Sequence, residues 1–206
     1  MNTSLDNLTH KMQRAALGKI VDVALSRAEQ DREKTMCQLV DAAKQFYGSG
    51  FSVSYERLAN IAKTQNDYRA AEGYCAKTLE ISEKLAEKYP DNAQMQRNLS
   101  VSYGNLGDIA KAMNDYKTAE GYYAKALVVR ERLAEKHPGV PMLKNDLAVS
   151  LSMCGTCSAD GKLSSEQKAM LRSAAAIWEE LYKQTGYELY AERREIAQNR
   201  LNQCSE

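Results

Sequence analysis

The sharpest chemical motif in the chain is Cys154-Gly155-Thr156-Cys157. Two cysteines at this spacing can supply half of a zinc site, or a pair that cycles between dithiol and disulfide. A tetrahedral zinc needs two further ligands, usually from a second CxxC or a histidine pair. The sequence offers only His10 and His137, each standing alone, and no second CxxC. The strand–helix setting of a thioredoxin-like motif is missing as well. His137 precedes Pro138 at a helix end, where an imidazole simply suits the helix dipole. No GxxxxGK[ST], GxGxxG, HExxH or GxSxG occurs, so the phosphate loops, metal helices and nucleophile elbows they encode are not expected. The carboxylates lie among lysines and arginines, as in EKLAEK and ERLAEK. That is the pattern of a solvated helix face with i,i+4 pairs, not of an acid–base dyad. The expectation is a chain with no catalytic residue, no metal and no cofactor, and not an enzyme.

What, then, positions these residues? The 206 residues carry 28 Lys+Arg against 27 Asp+Glu, a net charge of +1. That balance gives no support to a nucleic-acid or anionic-membrane partner. No stretch approaches the roughly 20 apolar residues of a membrane span, and the N-terminus does not read as a secretory signal. The odd number of cysteines, 5, argues against a disulfide framework and for a reducing, cytoplasmic setting. Only 3 prolines and 11 glycines interrupt a sequence rich in helix formers, so the expected class is all-α.

The chain repeats itself. Residues 52–99 and 100–147 are identical at 25 of 48 positions without a gap. A looser third copy follows: Leu147, Val149, Ser150, Leu151 and Gly155 fall 48 places after Leu99, Val101, Ser102, Tyr103 and Gly107. Each copy holds two helical stripes. In the second copy these are Met95, Leu99, Tyr103, Leu106 and Ile109/Ala110, then Ala119, Tyr122/Tyr123, Ala126, Leu127, Val129/Arg130 and Leu133. Asn114-Asp115-Tyr116 breaks them apart, and Pro138 stops the second. Each copy is therefore a helical hairpin that needs neighbours to bury its apolar face. The same shift puts Cys154 on Leu106 and Cys157 on Ile109, core positions of a first helix. Filling the core is thus the expected role of both thiols.

The second copy resembles a tetratricopeptide repeat (TPR) through Tyr103, Leu106, Gly107, Ala110, Asp115-Tyr116, Ala119, Tyr123 and Ala126. The first copy matches at Tyr55, Leu58, Ala59, Ala62, Asp67-Tyr68 and Ala71, and departs at Cys75 and Thr78. The third keeps Leu151, Gly155, Leu171 and Ala174, but its turn is rewritten as SADGKLSSEQK. The family period is about 34 residues, so a shift of 48 implies longer hairpins, of a kind similar to bacterial TPR proteins. The resemblance implies a right-handed α-α superhelix: an N-terminal helical cap over 1–50, repeats over 51–98, 99–146 and 147–186, and a polar-backed C-terminal capping helix over 187–206.

The resemblance also implies a protein or peptide bound on the inner face of each first helix. Carried onto this sequence, that face is Val53, Glu56, Asn60, Lys63 and Thr64, then Val101, Gly104, Asp108, Lys111 and Ala112, then Val149, Ser152, Thr156, Ala159 and Asp160. Asn60, Lys63, Thr64, Asp108 and Lys111 are the expected polar floor of a scaffold or adaptor module. The alternative is a regulatory protein switched through Cys154/Cys157 or by a small signalling peptide. Side-by-side pairing of long hairpins into a homodimer is a further expectation.

Overall fold

The computed structural model describes residues 51–203. The expected N-terminal cap over 1–50, with His10 and Cys37, and the expectation for Cys204 lie outside the described residues. The chain divides into two compact units, Met1–Arg57 and Leu58–Glu206. Within the first, the described residues 51–57 are helical.

The helices are α1 (Phe51–Thr64), α2 (Tyr68–Lys88), α3 (Ala93–Ala112), α4 (Tyr116–Lys136), α5 (Pro141–Gly155), α6 (Ser165–Thr185) and α7 (Glu188–Gln203). No strand occurs among the described residues, and the protein is an all-α helical solenoid. From α2 onward each helix packs on the next in sequence.

The same dipeptide makes two of the turns. Asn66 and Asn114 adopt left-handed backbone, φ 57° and 63°, which asparagine tolerates better than most residues. Asp67 and Asp115 then cap the following helices, their carboxylates accepting from the Ala70 and Thr118 amides at 3.0 Å. Between α2 and α3 the cap is Asn92, which accepts from the amides of Gln94 and Met95. Asp91 instead meets the Lys136 ammonium at 2.8 Å.

The third turn is built differently. Lys162 and Leu163 stand where the Asn-Asp pair should be. Gly161 supplies the left-handed residue (φ 73°), and Ser164 with Gln167 forms a capping box for α6. α5 therefore stops at Gly155, where the Thr156 hydroxyl donates back to the Ser152 carbonyl at 2.8 Å. Two expectations change. Cys157 lies past the helix end rather than on it, although it is buried as expected. Ala159 and Asp160 belong to the turn rather than to the inner face of a helix. There the Asp160 carboxylate accepts from the Ser158 hydroxyl and the Lys162 amide.

Among the described residues the core gathers into three apolar clusters, two of which bind a hairpin to the first helix of the next. One joins Ala59, Ala62, Ala71 and Cys75 to Leu106 and Ile109. The second joins Ala110, Ala119, Tyr123 and Leu127 to Cys154 and Cys157. The third gathers Ala148, Leu163, Leu171, Ala174, Trp178 and Leu181 around Ala197 of α7. Size is matched across each hairpin. A Cβ at Gly107 would lie 2.6 Å from Tyr123 Cδ1 and closer still to Cε1, and one at Gly155 would lie 2.7 Å from Leu171 Cγ. In the first hairpin the corresponding residues are Ala59 and Cys75: one methyl larger on one side, one ring smaller on the other.

Candidate inner-face groove

Along α3, Arg97, Val101, Gly104, Asp108 and Lys111 follow one another at steps of three and four, and so share a face. On α5 the same stripe is Asn145, Val149 and Ser152, followed by Thr156 at its C-cap. α7 continues it with Arg193, which stands 48 places after Asn145. Where α5, α6 and α7 converge there is a cavity of about 230 Å³ lined by Val149, Ser152, Met153, Trp178, Arg193 and Ile196. Asn145 ties two of the lining residues together, because its carbonyl oxygen accepts from Trp178 Nε1 at 3.1 Å and from Arg193 Nη1 at 2.8 Å. Ile196 is 68% exposed on the lip.

The expected polar floor is only partly assembled. Asp108 accepts from the Tyr123 hydroxyl at 2.8 Å, which braces α3 against α4. Lys111 donates to the Thr156 carbonyl at 3.3 Å, at the open end of α5, where a cation suits the helix dipole. These two stand one turn apart. Asn60 and Thr64 are exposed and Lys63 is half-buried on the last turns of α1. The Thr64 hydroxyl is turned back to the Ile61 carbonyl at 2.7 Å. Among the described residues no hydrogen bond joins this trio to Asp108 or Lys111.

A polar layer between the hairpins was not foreseen. Arg130 is only 6% exposed. Its Nε donates to Ser100 Oγ (3.1 Å), and its Nη1 to Ser150 Oγ (2.9 Å) and the Asp146 carbonyl (3.1 Å). The Asp146 carboxylate is engaged elsewhere, by a two-pronged contact from the Arg97 guanidinium. Burial pulls Arg130 down from its ordinary value, while the contact with Asp146 raises Arg97. One seam earlier the position of Arg130 is held by Ser82, whose hydroxyl meets Ser102 at 2.9 Å. Ser102 and Ser150 are themselves 48 places apart. The clue was in the apolar stripe of α4, which runs straight through position 130 and so buries whatever stands there.

The cysteine pair is buried. Burial pushes the Cys154 thiol up to about 11 and raises Cys157 too. Both are free thiols, and Cys157 Sγ rests 3.6 Å from the Tyr116 carbonyl. A thiol held protonated and covered is a poor nucleophile, so nothing supports a redox switch. Among the described residues no group of three or more His, Cys, Asp or Glu could hold a metal, and no helix is long and apolar enough to cross a membrane.

Residues 53–92 and 99–139 match the family described as "Tetratricopeptide repeat". These stretches cover most of α1–α2 and α3–α4. No curated protein matches the chain. Among solved structures, a chain titled "DHF119 filament" is similar over 94% of each chain, at 12% identity and a TM-score of 0.33.

Proposed function

We propose that this protein is a non-catalytic interaction module, a scaffold or adaptor, whose first-helix faces hold an extended segment of a partner protein. The two tetratricopeptide-repeat matches support the class, since such repeats generally mediate protein–protein interaction. The observation that carries the site is the cavity at Trp178. It lies on the inner stripe through Val149 and Ser152, is largely apolar, and is open at Ile196. Concave, apolar hollows with a few fixed polar groups are where ligands seat. Asn60, Lys63, Thr64, Asp108 and Lys111 are proposed as the polar contacts toward the other end of the groove. The division into a cap over 1–50, repeats over 51–98, 99–146 and 147–186, and a capping helix over 187–206 belongs to the same proposal. So do a cytoplasmic location, the absence of nucleic-acid and membrane partners, and a homodimer.

Selection from a random peptide display library tests it. Binders should be recovered, and filling the cavity with Ser152→Trp should abolish their binding while helicity by circular dichroism is kept. Peptides that bind both proteins equally would move the interface off this face.

A further inference from the structure

The last helix is held differently from the one before it. α6 buries Leu171, Ala174, Ala175, Trp178 and Leu181. Of the 16 residues of α7, Ala197 alone is buried. Tyr190 and Leu201 are partly covered against the Trp178 cluster, and Leu189 and Ile196 are exposed. Apolar burial is what fastens most helices to a core, and little of it holds α7.

Polar contacts take its place. Glu188 accepts from the Tyr182 hydroxyl at 3.2 Å, and Arg193 Nη1 donates to Asn145 at 2.8 Å. Arg194 pairs with Glu179, and Arg200 Nη2 donates to the Gly161 carbonyl at 3.0 Å. Three arginines thus reach α5, α6 and the turn between them. Two of the acceptors keep a partner without α7: Glu179 has Lys183 at 3.0 Å, and Asn145 has Trp178 Nε1. The docked position also has a cost, because Arg194 Nε is buried with no hydrogen-bond partner. The link between α6 and α7 is Gly186 and Tyr187. Gly186 is left-handed (φ 67°), and a Cβ there would meet nothing within 4 Å. Backbone clear of neighbours is where a hinge can turn.

We infer that α7 is a lid on the Trp178 cavity, latched by Arg193, Arg194 and Arg200 and able to swing out about Gly186 while α3–α6 stay folded. Arg193 and Ile196 line the cavity from α7. Their departure widens it and uncovers Trp178, which is 3% exposed while the lid is shut. The lid adds control of access to the groove reading above, and its test needs no ligand.

Hydrogen exchange of the full chain, read by mass spectrometry on peptides from α6 and α7, provides that test. The α7 amides should exchange together, at least about tenfold faster than those of α6, as a unit that opens short of global unfolding. Arg194→Gln and Arg200→Gln should each speed α7 about fivefold and leave α6 unchanged. Trp178 is the single tryptophan of the chain, so acrylamide quenching of its fluorescence should rise in step. One common rate for α6 and α7, or variants that speed both helices alike, would make α7 a fixed part of the core and overturn the inference. So would exchange that merely fades from Gln203 back toward Glu188, which is fraying rather than hinged opening. Each of these leaves the groove reading standing. If α7 opens as expected and no displayed peptide binds, the groove reading falls and the lid stands.

Discussion

Gly107→Ala is a substitution whose sign depends on one ring. In an exposed helix, replacing glycine by alanine stabilises by about 1 kcal/mol. Here the new methyl would lie 2.6 Å from Tyr123 Cδ1, about 1 Å inside an ordinary carbon–carbon contact. The ring cannot swing aside cheaply: it is 2% exposed and its hydroxyl is held by Asp108. Overpacking of this kind costs about 1–3 kcal/mol. A clash of about 2–3 kcal/mol less the propensity gain leaves a net loss of about 1–2 kcal/mol. For a chain of this size that lowers the thermal midpoint by roughly 2–8 °C. The decisive comparison is the same change in a Tyr123→Cys background, which recreates the Ala59/Cys75 pair of the first hairpin. There the methyl has room and Gly107→Ala should stabilise by up to about 1 kcal/mol. The cycle would be read from urea midpoints, with a coupling of about 2–3 kcal/mol. Gly107→Ala stabilising in the wild type, or carrying the same sign in both backgrounds, refutes the argument from close approach.

Arg130→Met takes the donor away from the Ser150 hydroxyl and the Asp146 carbonyl, and leaves Ser100 with its bond to the Arg97 carbonyl alone; it should cost about 2–4 kcal/mol in urea denaturation. A loss under about 0.5 kcal/mol would mean that the network is not needed for packing. Asp115→Ala removes the cap of α4 and should lower the thermal midpoint. Glu179 is held below its ordinary value of 4.5 chiefly by the Arg194 hydrogen bond, and Glu180 by that of Lys144. Depressed carboxylates add stability above their unfolded value and lose it as pH falls through the folded one. The thermal midpoint should therefore hold from pH 7 to about 5 and decline below 4.5, less steeply in Arg194→Gln. Burial, aided by Glu83, lifts Tyr103 to about 12, so Tyr103→Phe should remove a late step from the alkaline absorbance titration. Cys154 and Cys157 should react with a thiol reagent at pH 8 only slowly until the chain is unfolded; fast labelling of the native protein would contradict their burial.

The hairpins were legible because a repeated stripe carries its own reading frame. The Asn-Asp turns at 66–67 and 114–115 were legible because few residues accept left-handed backbone and then cap a helix. The turn after α5 was not, since Gly161 and the Ser164/Gln167 box lie out of step with the earlier copies, and so Cys157 was placed on a helix that had already ended. The groove was read as a polar floor at Asn60, Lys63, Asp108 and Lys111. The spacing does not record that the last two also hold the Tyr123 hydroxyl and the Thr156 carbonyl. Arg130 was passed over because a stripe pattern records that a position is inside, not what an arginine there will find to bond.

Similar tandem copies face a problem of address. Two hairpins alike at 25 of 48 aligned positions present nearly the same apolar surface to any neighbour, and a newly made chain could dock them out of order or exchange them between molecules. The seams are not alike in their polar joints. One closes on the short Ser82–Ser102 pair, the other on the long arm of Arg130 reaching Ser100, Ser150 and the Asp146 carbonyl. A short hydroxyl stands at position 82 where a long charged arm stands at position 130, so the two seams close through different groups. Joints that differ in this way give a duplicated array one feature by which its seams can be told apart.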